Sequence, residues 1–154
     1  MNTASSTRPG LSGTSATGRA SSTADAVVDP ALFTDDLAHL QGGRCVACKA
    51  LMFPVRAGCP ECGAHEVEPM ALSDHARVWT FTVIHIRPPG YAGPCPYVLG
   101  VVELDDGLRV TSIVTAHAVD DVRIGDRVGF ELIDVGAAET PRWTFAHRRL
   151  IGSQ

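Results

Sequence analysis

The chain has 154 residues, a formal net charge of −4 and 45% hydrophobic residues, which fits one globular domain or two small ones. No stretch approaches the ~20 apolar residues a bilayer span needs, and the first residues lack the apolar core of a secretory signal. With Lys49 the only lysine, there is no basic field for phosphates, so a cytoplasmic protein with neither membrane nor nucleic acid as partner is expected.

Residues 1–27 are dominated by Ser, Thr, Ala and Gly without apolar periodicity. They cannot bury enough surface to offset ordering, and a disordered tail is expected. Arg8 and Arg19 in this acid-poor stretch invite a targeting reading, but no amphipathic apolar face accompanies them. Asp29-Pro30 then reads as a helix start, Asp at the N-cap and Pro at the first position. Phe33, Leu37 and Leu40 recur at helical spacing, and Gly42-Gly43 closes a short helical segment over 28–43.

Residues 44–69 contain Cys45-Val-Ala-Cys48 and Cys59-Pro-Glu-Cys62, with ten residues between the pairs. Two C-x-x-C knuckles at this distance have the ligand spacing of a tetrahedral zinc site. Four thiolates leave no position for water or substrate, which points to structural Zn2+; redox iron and a redox dithiol pair are the alternatives. With four of five cysteines used this way, no disulfide framework is expected, and a reducing compartment fits. Arg44, Lys49 and Arg56 can offset the formal charge of zinc tetrathiolate. Leu51-Met52-Phe53-Pro54 should cover one side of the metal, whose binding would supply most of so small a unit's stability.

From residue 70 to 150 the pattern is strands and turns. Val78–His85 is rich in β-branched and aromatic residues, and the Pro- and Gly-rich run Pro88–Pro96 must be a loop. Tyr97–Leu104 and Leu108–Val114 flank Asp105-Asp106-Gly107, a hairpin signal. Val128–Asp134 and Trp143–Arg149 supply the fourth and fifth strands. The predicted fold is mainly β: a short N-terminal helix, a zinc ribbon, then a five-stranded OB-fold barrel.

A ribbon followed by such a barrel resembles the DUF35 family, acyl-CoA-associated OB-fold proteins with a rubredoxin-like zinc ribbon. The match is carried by Gly43-Arg44-Cys45-Val-Ala-Cys48, Phe53-Pro54-Val-Arg56, Cys59-Pro60-Glu-Cys62-Gly63 and Trp79-Thr-Phe-Thr-Val. It continues through Pro88-Pro-Gly-Tyr91, Pro96-Tyr97 to Gly107, and Ile124-Gly125, covering roughly residues 30–147. The resemblance implies a non-catalytic subunit of an acyl-CoA-processing complex, paired first with a thiolase or thiolase-like aldolase and alternatively with a hotdog-fold enoyl-CoA hydratase. The partner then holds the reacting groups, and the CoA ester is bound at or near the interface. Cys95, between two prolines, and the long Ser/Thr-rich tail depart from the family pattern.

The loop is the foremost candidate for touching partner or CoA, because its prolines limit ordering costs and Tyr91 offers both an apolar face and a hydroxyl. Pro89, Gly90, Tyr91 and Tyr97, with Phe53 and Arg56 of the ribbon, form the candidate contact set. Arg142, Arg148 and Arg149 suit phosphate geometry, though a solvated strand end is the favoured account of them. Cys95 has no activating neighbour in sequence, and His85, His117 and His147 form no triad or metal pattern, so no catalytic residue is assigned. Trp79, Phe81, Trp143 and Phe145 alternate along strands and are expected in the core. A nucleic-acid-binding ribbon and OB module, or a small electron carrier, are the competing classes.

Overall fold

The computed structural model describes residues 26–137 and 139–150. The expected disordered tail lies outside these residues up to position 25. Among the described residues no helix is long and apolar enough to cross a membrane.

Among the described residues, eight strands form two sheets. β1 (Gln41–Cys45) lies between β2 (Leu51–Met52) and β3 (Val67–Ala71), all antiparallel. β4 (His75–Ile84), β5 (Tyr97–Leu104), β6 (Arg109–Thr115), β7 (Arg127–Asp134) and β8 (Trp143–Arg149) close a barrel in the order β4-β5-β6-β8-β7. β7 pairs back with β4, and β6–β8 is the one parallel contact of the barrel. The expected five-stranded OB-fold is what these residues build. Along β5 half-buried and buried residues alternate without a break from Tyr97 to Leu104, the period-2 signature of a strand with one face in a core. Gly107 takes φ +83° in the β5–β6 turn, a conformation that costs a residue with a Cβ.

The helix expected over 28–43 is not formed. Asp29 does cap, its carboxylate accepting from Ala31 N at 3.0 Å, but the turn it starts is a single 3-10 turn, Pro30–Leu32. Phe33 instead bridges Leu40 across a reversal in which Thr34 N donates to His39 O and Leu37 takes φ +58°. Phe33 and Leu40 still reach the barrel core, from a loop rather than a helix face. Gly42-Gly43 is no helix stop. A Cβ at Gly42 would lie 2.6 Å from a Leu72 methyl, and one at Gly43 2.7 Å from Val67. The glycines let β1 sit close against those side chains, and close packing dominates the marginal propensity of a short isolated helix.

Trp79 also departs from expectation. A β-bulge between Val78 and Thr80 shifts the β4–β5 register, so Ala76 and Val78 point inward while Trp79 is 49% exposed, the Arg109 guanidinium lying 3.4 Å from its ring centroid. One extra residue reverses the alternation. Phe81, Trp143 and Phe145 remain packed against the core.

Candidate functional site

The four cysteines come from two knuckles of matching geometry. In the first, Cys45 N donates to Ala50 O and Lys49 N to Cys45 O; in the second, Cys59 N donates to Ala64 O and Gly63 N to Cys59 O. The residue after each knuckle's second cysteine has positive φ, +65° at Lys49 and +74° at Gly63. Each turn therefore reverses tightly and presents its two thiols toward the other knuckle.

All four sulfurs lie within 4.8 Å of one another. Cys45 Sγ is 3.6 Å from Cys62 Sγ, and Cys48 Sγ is 3.6 Å from Cys59 Sγ. The edge of a tetrahedron with ~2.3 Å metal–sulfur bonds is about 3.8 Å, so the set fits Zn2+ and fills its coordination sphere. Zinc here would hold the knuckles together and offers no open position. The backbone N–H of Cys48 is the largest influence pulling the Cys45 thiol down to about 6, with the Cys62 thiol and Ala47 N–H adding to it. The Ala50 N–H pulls Cys48 down as well, but neighbouring sulfurs and burial outweigh it and push that thiol to about 12.

Met52 and Cys59 are buried beside Cys45 with Ala50, Ala64 and Val67 around them, so Met52 covers the centre as expected. Phe53 turns the other way, toward the barrel, its ring meeting Phe145. Lys49 Nζ donates to Val46 O at 2.7 Å, and Arg44 and Arg56 are exposed. No hydrogen bond among the described residues joins either arginine to a cysteine.

The second constellation is the β4–β5 loop. Tyr91 N donates to Pro88 O, with Pro89 and Gly90 (φ +81°) between them, a type II turn whose third position demands positive φ. Tyr91 then folds back: its hydroxyl donates to Pro94 O at 3.2 Å and its ring lies 4.8 Å from that of Tyr97, tilted by 32°. Gly93 permits this, because a Cβ there would lie 2.6 Å from the Tyr91 ring. Ala92 N donates to Val135 O at 2.7 Å and ties the loop to the end of β7. Burial, then the neighbouring Tyr97 and Cys95, raises the Tyr91 pKa despite Arg87, so its hydroxyl remains a donor.

Tyr91, Pro96 and Tyr97 wall a groove of about 220 Å³ closed by Thr115, His117 and Ile133. A larger cavity of about 490 Å³ shares Thr115, His117 and Ile133 and extends to Glu131, Arg148 and Arg149. Glu131 accepts from Thr115 Oγ1 and, at 2.6 Å, from Arg148 Nε, while Arg149 Nε donates to Asp126 at 2.6 Å. Arg142 is exposed and lines neither space. Sequence reasoning did not group Thr115, Glu131 and Ile133 with the tyrosines. The parallel β6–β8 contact and the β7–β8 pairing bring them together, and no local pattern encodes those pairings.

His147 is wholly buried, with Nδ1 2.9 Å from Ser112 Oγ and Nε2 without a hydrogen-bond partner. His85 and His117 are exposed, and the half-buried Cys95 has its sulfur 3.9 Å from Ile84 O.

Two family models match the chain: "ChsH2, rubredoxin-like zinc ribbon domain" over residues 39–68 and "ChsH2, C-terminal OB-fold domain" over residues 70–131. A DUF35 domain-containing scaffold protein of Methanocaldococcus jannaschii is 37% identical over 90 residues, 58% of this chain and 64% of that protein. The benzoylsuccinyl-CoA thiolase subunit BbsA of Geobacter metallireducens is 33% identical over 96 residues, covering 62% and 63% of the two chains. A probable enoyl-CoA hydratase alpha subunit of Thermomonospora curvata is 35% identical over 82 residues, 53% of this chain and 25% of that one. The chain thus spans just under two thirds of the first two relatives and a quarter of the third. Among solved structures, the Ltp2-ChsH2(DUF35) aldolase superposes with TM-score 0.60 at 30% identity, over 72% of this chain and 84% of that one.

Proposed function

Because the chain belongs to the DUF35 family, we propose that it is an accessory, non-catalytic subunit of an acyl-CoA-processing assembly, held by a thiolase or thiolase-like aldolase. The observation that carries this reading is the joint match of ribbon and barrel to 84% of a chain from a DUF35-containing aldolase. A thiolase subunit among the relatives supports the same partner class. The metal centre is consistent with it, since four thiolates around zinc would leave no position for substrate.

In this reading the Tyr91–Tyr97 pair is the contact point for partner or CoA ester. Pro89 and Gly90 hold Tyr91 in a turn already formed, so docking requires little further ordering. The groove beneath is apolar at Ile133 and the tyrosines, and Arg148, with its side chain 69% exposed, stands at the adjoining cavity where a CoA phosphate suits a guanidinium. Arg56 is a second exposed contact on the ribbon. Phe53 acts indirectly, by seating the ribbon on the barrel.

A hotdog-fold hydratase partner is the second reading, favoured by the Thermomonospora curvata relative. Affinity capture of the tagged full chain from its native lysate at low salt, with mass-spectrometric identification, separates these readings. A thiolase-fold partner supports carbon–carbon bond chemistry, and a hotdog-fold partner moves the reaction to hydration. Recovery of neither, with no effect of the chain on either enzyme's acyl-CoA turnover, overturns the accessory-subunit reading. Salt-dependent capture of single-stranded nucleic acid would replace it with the nucleic-acid module.

A further inference from the structure

We propose that the four-cysteine centre is also a peroxide-sensitive switch, in which oxidation pairs Cys45 with Cys62 and Cys48 with Cys59 and releases the metal. The inference concerns the thiols alone and stands whether or not the chain serves an acyl-CoA enzyme.

Access and proximity carry it. Cys48 and Cys62 are exposed, while Cys45 and Cys59 are buried. Each 3.6 Å contact joins an exposed sulfur to a buried one of the other knuckle. An oxidant reaching an exposed thiolate therefore forms its product against a sheltered second thiolate, the arrangement of an attacked and a resolving cysteine. Closing 3.6 Å to the ~2.05 Å of a disulfide needs only a small approach of the two turns. Around the sulfurs lies a small apolar cluster of Met52, Ala50, Ala64 and Val67, too slight to hold the knuckles in register once the metal bonds are gone.

The chemistry balances. The Cys62 thiolate attacks hydrogen peroxide, breaking the O–O bond to give a sulfenic acid and hydroxide. The Cys45 thiolate then attacks that sulfur, forming the S–S bond and expelling a second hydroxide. Cys48 and Cys59 repeat the sequence with a second peroxide. Two peroxides are reduced to four hydroxide ions, which protons from solvent convert to water, four thiolates are oxidised to two disulfides, and Zn2+ leaves as the aqua ion because neutral disulfide sulfur is a poor ligand for it.

The test uses zinc-loaded full-length protein treated with hydrogen peroxide. Released zinc is read with a chromogenic chelator, and non-reducing peptide mapping uses cleavage after Glu61 to separate Cys59 from Cys62, with fragmentation between Cys45 and Cys48. The expected result is one zinc released per two peroxides consumed, the two cross-knuckle bridges, and zinc uptake restored by a thiol reductant. Retained zinc with the four thiols still reduced overturns the proposal, and so do bridges confined within each knuckle. Cys95→Ser should release zinc at an unchanged rate; a tenfold slower release would place the sensor at Cys95 and overturn it as well.

Discussion

The ring of Phe53, the residue after β2, meets the ring of Phe145 in β8 edge-on, with centroids 5.8 Å apart and planes at 87°. Phe145 also meets Phe33 at 6.2 Å and the His147 ring at 6.4 Å. One barrel side chain thus joins the N-terminal segment, the ribbon and the interior. Phe53 is half-buried, so Phe53→Ala should cost about 2 kcal/mol, below the ~3–5 of a fully buried Phe. Urea unfolding with zinc retained checks this; a change under ~0.5 kcal/mol would mean that the contact contributes nothing.

Removing the metal should affect the two sheets differently. The ribbon cluster around Cys45 is distinct from the barrel core around Val98, Val102 and Val128. Chelation should therefore collapse amide protection in β1 and β2 while β5 and β6 keep theirs, with stability returning on zinc addition. Hydrogen exchange reads both sheets at once. Equal loss in ribbon and barrel would show one cooperative unit instead.

His147 makes stability pH-dependent. Burial, its largest influence, lowers the pKa from 6.5 to about 4, against a smaller upward pull from Glu131 and Asp74. Between those values the unfolded chain binds the proton and the folded chain does not, so stability rises with pH. The contribution is fully present above pH ~6.5 and is lost as pH falls through ~4, about 3 kcal/mol in all. Urea unfolding at pH 7 and pH 4.5 should show most of this slope, and His147→Gln should remove it.

Tyr91→Ala should weaken the partner complex about ten- to thirtyfold, the scale of a well-seated interface tyrosine. Gly93→Ala should produce a similar loss without deleting the ring, because its Cβ would displace the Tyr91 side chain from Tyr97. Calorimetric titration of the captured partner reads both variants. Unchanged affinity in the two would remove the loop from the interface.

Local chemistry made much of this protein legible from sequence. The knuckles declare themselves because ligand spacing is a covalent constraint, and the Asp105-Asp106-Gly107 hairpin because Gly107 alone suits its backbone. The β5 and β8 limits, Tyr97–Leu104 and Trp143–Arg149, follow from turn residues bounding β-branched and aromatic runs. Tertiary structure decided what depends on distant partners. Gly42-Gly43 became strand because Leu72 and Val67 need the space, and Trp79 turned outward because a bulge forms only against β5. Phe53 faces the barrel because Phe145 waits there, and Thr115 and Ile133 join the tyrosine groove, with Glu131 in the cavity beside it, through strand pairings far apart in the chain. Propensity and spacing act over a few residues, whereas packing is settled between surfaces that meet only once the chain has folded.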